Sequence, residues 1–386
     1  MWRSSNLTRS VATGFASLVV CGAAMTASAK PAQALETRSY AMAWFTAAMN
    51  STENDCPGGV HPSIQVQYHK NLLDLGYPPA EAAKLIEAYV SGDDDEQVSD
   101  IMLMRGRING QPVNGYAHPG AVVDPQLTHV TAKEGFGFNL DGKDGPMNFT
   151  DPLTKEAGVD NQLSRALGCS NPFRGTYNVK PGLWLFRWST MRDTTPAWLM
   201  TIAGEDLDTD GPITVIFDRA MEHLIFNGDG EARPDITYRA DTDPRNHTVL
   251  KGEIKDGMIR ITEHGRLQLM QDILGGGQLV LDKTHMRLTR TNTGNLDGFL
   301  AGFQPWEHLY FEIGQGGPAS EDMSTGELPG KWHLMRKMAD YDPDPSTGQN
   351  RSISATYRVE FVPVFVARMK NGEFVVGNDG AGEGGK

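Results

Sequence analysis

Only 3 of the 386 residues are cysteine. None forms a Cys-x-x-Cys pair or lies at ligand spacing from a histidine, which argues against a zinc or dithiol redox centre. There is also no Gly-x-Ser-x-Gly elbow, His-Glu-x-x-His helix, phosphate-binding loop or haem-attachment pair, so nothing marks a nucleophile or a cofactor. Lys and Arg nowhere cluster, and the formal charge is −13. Phosphate recognition rests on clustered basic side chains, so nucleic acid and anionic membrane are excluded as partners. No apolar run reaches the roughly 20 residues that a membrane-spanning helix needs, and no repeat of fixed period marks a solenoid or propeller.

The N-terminus carries Arg3 and Arg9, an apolar stretch from Val11 to Ala27, and the small-x-small triplet Ala27-Ser28-Ala29. This is the pattern of a cleavable secretory signal peptide. Cleavage is expected before Lys30, with Ala32-Gln33-Ala34 as a second acceptable site. Val20 precedes Cys21, where a lipoprotein signal wants a small residue. The expected location is therefore the periplasm or the medium. Removing residues 1–29 takes away Arg3, Arg9 and no acid, so the formal charge moves from −13 to −15. Two cysteines remain, Cys56 and Cys169, and in an oxidising compartment they read as one disulfide.

Four segments follow from the pattern: the signal peptide 1–29, a helical region 30–104, a β-rich main domain 105–376 and a disordered Gly-rich tail 377–386. The run Tyr40-Ala-Met-Ala-Trp44-Phe45 opens the helical region. The stretch from Pro78 to Tyr89 sets proline in a first turn and keeps apolar residues at helical spacing. Asp93 to Glu96 reads as a solvated charge run that ends this helix. Beyond residue 105, short apolar or alternating runs are parted by Gly, Asp, Asn and Pro. They include Leu183–Trp188, Ala197–Ile202, Ile213–Phe217, His223–Phe226, Gln278–Leu281, the aromatic run Trp306–Phe311 and Tyr357–Val366. Val249–Ile254 and Met258–Thr262 flank Asp256-Gly257, a strong hairpin signal. The fold class expected is mainly β, an antiparallel sandwich or barrel-like body with a helical N-terminal region.

The sharpest local signal is Asp206-x-Asp208-x-Asp210-Gly211. Alternate side-chain oxygens there can converge on one hard cation, and calcium is the candidate cofactor. The stretch resembles an EF-hand loop, but Phe217 stands where the bidentate Glu belongs and both flanks read as strands. The bland alternative is an acidic hairpin turn with Asp210-Gly211 at its tip. A second cluster offers Asn139, Asp141 and Asp144 around Lys143. A third holds Asn227, Asp229, Glu231 and Asp235, and a fourth Asp340, Asp342 and Asp344. The ten histidines are scattered. Methionines beside them, as at His285-Met286, permit a copper site, although core filling explains them more simply. Trp184, Trp188, Trp198, Trp306 and Trp332 either stack on sugars or are buried. No catalytic residue is named by the sequence: many carboxylate pairs could serve a glycosidase, and nothing chooses among them.

Three stretches carry a resemblance. They are Arg105-Gly-Arg107-Ile-Asn-Gly-Gln-Pro112-Val113, then Gly158-Val-Asp160-Asn161-Gln162-Leu-Ser-Arg165-Ala-Leu-Gly168-Cys169, then Thr347-Gly-Gln349 through Ile353-Ser354-Ala-Thr-Tyr357-Arg358-Val-Glu360. Together they resemble a group of exported bacterial proteins of unknown activity. The resemblance implies an envelope setting and lends no catalytic residue. The function expected is a calcium-stabilised binding or structural module, with an envelope protein or a carbohydrate as partner. The alternative is an exported hydrolase, acting on carbohydrate through an Asp/Glu pair.

Overall fold

The computed structural model describes residues 35–93, 95–182, 188–189, 192–270, 278–314, 316–324 and 326–376. The signal peptide, most of the run 183–188 and the tail from 377 lie outside them. Eight strands follow one another around a closed antiparallel barrel: β1 (Glu36–Ala47), β2 (Pro196–Gly204), β3 (Gly211–His223), β4 (His247–Lys255), β5 (Met258–Ile261), β6 (Gln278–Arg290), β7 (Leu296–Pro305) and β8 (Asn350–Lys370). Each pairs with its sequence neighbours, and β8 returns to β1 in the register Ser39 with Val364 through Ala47 with Tyr357. Closure removes the unpaired edges that an open sheet would leave. Short strands at 237–239, 267–270, 341–343 and 373–376 extend it.

Alternation decides which side chains enter the lumen. In β4, Leu250, Gly252 and Ile254 are buried while Lys251 and Lys255 are exposed, and Ile259 and Ile261 of β5 continue the buried row. The lumen is filled by such residues. Phe45 stacks on Tyr357 with ring centroids 4.4 Å apart, and Trp198 meets Phe45 edge-on at 5.3 Å. Asp256 and Gly257, both at positive φ (53° and 72°), make the two-residue turn that joins β4 to β5. This is the hairpin that the Asp-Gly pair predicts.

Two segments take other forms than the sequence pattern suggests. Tyr40 to Phe45 is strand, not helix: β1 is buried on both faces, so it shows no alternation and its Ala and Met mimic a helix former. Its inner face meets the lumen, while Trp44 lies outside under Lys180, whose Nζ is 3.8 Å from the ring centre, and beside Trp188. A boundary at 104 therefore divides the barrel, because β1 pairs with β2 and β8. The run from Trp306 is helix, not strand. Trp306, Leu309 and Tyr310 stand at helical spacing and are buried, while Phe311 is exposed.

The helices among the described residues include α1 (Ile64–Asp74), α2 (Pro79–Ser91), α3 (Asp95–Leu103), α4 (Gln162–Leu167), α5 (Trp306–Gly314), α6 (Pro318–Ser324) and α7 (Leu328–Met338). α2 starts at Pro79 and ends on Gly92 in the left-handed region. α1 to α3 share a small core of Ile64, Tyr68, Leu72, Val98 and Met102. Phe136, Phe138 and Leu140 pack on Phe299, Ala301 and Phe303, the outer face of β7. Cys56 and Cys169 form a disulfide with Cα atoms 5.7 Å apart, closing a sequence separation of 113 residues. A loop of that length contributes about 4–5 kcal/mol in the chain-entropy model. Among the described residues no helix is long and apolar enough to cross a membrane.

Candidate functional site

One mouth of the barrel is framed by the start of β1, the β2–β3 loop and the end of β6. The acidic stretch singled out in the sequence is that loop, and its carboxylates face arginines. Asp208 takes Arg38 in a fork, Oδ1 to Nη1 at 2.9 Å and Oδ2 to Nη2 at 2.7 Å, and Oδ1 also meets Arg290 Nη1 at 3.0 Å. Two guanidinium groups hold the Asp208 carboxyl well below the usual carboxylate range. Glu36 bonds Arg38 Nη2 at 2.6 Å through Oε1 and accepts the Leu207 amide at 3.1 Å through Oε2. Asp206 accepts the Asp208 amide and the Thr209 hydroxyl, and Asp210 accepts the Asp256 amide at 2.9 Å from the neighbouring hairpin. Leu207 is buried and anchors the loop, whereas the Asp208 side chain is 64% exposed.

The structure thus brings Asp206 and Asp208 together with Glu36, whose ligand oxygens lie within 4.8 Å of one another, and sends Asp210 to another partner. Sequence reasoning missed Glu36, Arg38 and Arg290, which are distant in the chain and match no motif. The second cluster is a turn: Asn139 accepts the Gly142 amide, Asp141 accepts that of Lys143 and bonds its Nζ at 3.2 Å, and Asp144 is exposed. Asn227 likewise accepts the amides of Asp229 and Glu231, and Asp344 those of Ser346 and Thr347.

Beside the mouth, β1 and β8 part company. Their pairing starts only at Ser39 and Val364, and the wedge beyond it holds a cavity of about 450 Å³. Val364, Phe365, Val366 and Val376 are in its lining, and so are Arg38, Arg290 and Arg368, with Tyr40 and Asp235. Arg368 bonds Asp218 at 2.5 Å and Thr201 at 2.9 Å. Three arginines in one cavity are notable in an acidic chain. Ligand sites are typically concave, of ~300–1,000 Å³, apolar with a few placed polar groups.

No family model, curated protein or solved structure matches the chain.

The three stretches that carry the resemblance find structural work in the fold. Gly158, at φ +76°, passes so close to Lys143 that a Cβ would lie 2.3 Å from its carbonyl oxygen. Asp160 accepts the Leu140 amide at 2.8 Å, and burial pushes its carboxyl up to about 6. Asn161 caps α4 and donates to the carbonyls of Ala48 and Phe136. The Gln162 amide donates to Ser354 Oγ at 2.9 Å, and that hydroxyl donates to Asp340 at 2.6 Å. Arg165 lies over Phe149 at 3.9 Å and donates to Val130 O. The segment thereby pins the 130–170 cover to β8.

Arg105 belongs to a second buried network. Its Nη2 sits 2.8 Å from Glu321 Oε1 and 2.7 Å from Glu327 Oε1, with all three side chains at most 2% exposed. Tyr116 donates to Glu321 Oε2 at 2.6 Å, and Glu327 caps α7 through the Gly330 amide. Burial pushes Glu327 up to about 7 and pulls Lys331 down to about 8. Two carboxylates and two cations balance, the condition under which buried charge is tolerated. A cavity of about 300 Å³ opens in front, lined by His61, Gln67 and Glu327 among others.

Proposed function

We propose that this is an exported binding module whose ligand site is the cavity between β1 and β8 at the barrel mouth. The observation that carries the reading is the cavity's makeup, with Val364, Phe365, Val366 and Val376 in its lining together with Arg38, Arg290 and Arg368. The disulfide fits an extracytoplasmic location. Against the hydrolase alternative, the carboxylates gathered around Arg105 are consumed by that arginine and by backbone amides. The tryptophans among the described residues are all buried, so none offers a platform for a sugar ring. The test uses 8-anilinonaphthalene-1-sulfonate, an anion with an apolar body, whose fluorescence rises on binding. Wild-type protein should enhance it, and Ser39→Trp, which fills the cavity, should not. Val376→Trp at the exposed rim serves as the variant that leaves folding intact. Equal enhancement by all three proteins of unchanged circular dichroism overturns the reading.

Calcium at the same loop is a second reading, favoured by the approach of Glu36, Asp206 and Asp208. It requires that calcium raise the melting temperature of wild type relative to chelator and leave that of Asp206→Ala unmoved. An equal response in both proteins, or none, removes it.

A further inference from the structure

Resting on the binding reading above, we infer that the ligand is a carboxylate carrying an apolar chain, and that Asp208 is the internal carboxylate it displaces from Arg38 and Arg290. The fork in which Arg38 holds Asp208 is the bidentate geometry by which a guanidinium receives a carboxylate, and Arg290 adds a third bond. Both arginines also line the cavity. Asp208 is therefore a carboxylate at the edge of a carboxylate site.

Three features make exchange favourable. The Asp208 side chain is 64% exposed, so its ion pairs are of the weakly held surface kind and it regains water on leaving. Leu207 and Glu36 hold the neighbouring backbone, so the loop can stay seated while one side chain turns out. An incoming chain also covers Phe365 and Val376, which are 50% and 52% exposed, and this burial is a gain that Asp208 cannot match. Arg368 stands further along the lining, held by Asp218, so Arg38 and Arg290 are the receiving pair. A neutral alcohol of the same length would gain the apolar contact and forgo the fork. A cationic amphiphile would meet like charge.

The experiment is calorimetric titration with sodium decanoate, decan-1-ol and decyltrimethylammonium. Wild type should bind decanoate more tightly than the alcohol, and the cation not at all. Asp208→Asn, which frees the fork, should bind decanoate about tenfold more tightly, a change of ~1.4 kcal/mol. Arg290→Gln in the Asp208→Asn background should lose that gain. Arg290→Lys, which keeps the charge without the fork, should recover only part of it. Equal affinity of wild type and Asp208→Asn, decanol binding as tightly as decanoate, or no binding of decanoate to either protein overturns the inference. If decanoate binds Ser39→Trp as well as it binds wild type, the cavity itself is not the site, and the binding reading fails separately.

Discussion

At the scale of single residues, His264 and His285 show how geometry selects among chemistries. Their rings stack with centroids 3.7 Å apart and planes 9° from parallel, and each Nδ1 donates to a backbone carbonyl, at 3.2 Å to Thr284 and 2.8 Å to Lys283. Parallel rings aim their Nε2 lone pairs along parallel planes, not at one point, so the pair does not form the chelate that a copper site at His285-Met286 requires. Met286 is buried in the core. Burial, aided by His264 and Lys283, pulls His285 down to about 4 from its ordinary 6.5. Between those values the unfolded chain accepts a proton that the folded protein refuses, so this group costs stability as pH falls from 6.5 toward 4 and is neutral above. The urea midpoint should fall between pH 7 and pH 5, and His285→Gln should reduce that fall. An unchanged slope in the variant contradicts the assignment. The stack itself was not legible, because His264 lies outside the strands and is set beside His285 by contacts with Thr284 at the register shift in β6.

Among elements, the Arg105 network joins the end of α3 to α6 and α7. Removing one member of a buried pair strands the others, at a cost of about 3–5 kcal/mol. Arg105→Met should lose that much in urea unfolding, and Arg105→Met with Glu327→Gln should recover part of it. A loss below about 1 kcal/mol would show that water reaches the acids. Elements whose pattern has one exposed face were legible from sequence: β4 and β5 with their Asp-Gly turn, and α2 between Pro79 and Gly92. β1 was not, since a strand covered on both faces loses its period. Trp306–Phe311 was misread because its aromatics suggest strand while their spacing is helical.

For the whole molecule, the disulfide and the β-rich class followed from cysteine count and punctuation, whereas the mouth did not. The loop was conspicuous by its acids, but what those acids do depends on Arg38 and Arg290, which only barrel closure sets beside it. Closure has another consequence. Strands β2 to β8 join their neighbours along the chain, while the seam from Ser39 to Val364 ties almost opposite ends. Loop-closure entropy makes such long-range pairing slow relative to the hairpins. Until it forms, the meander is a curved sheet with two bare edges, each able to recruit another chain. Refolding should therefore be limited by the docking of β1, whose partners β2 and β8 are both remote in the chain, and a chain stopped short of β8 would aggregate instead of folding in part.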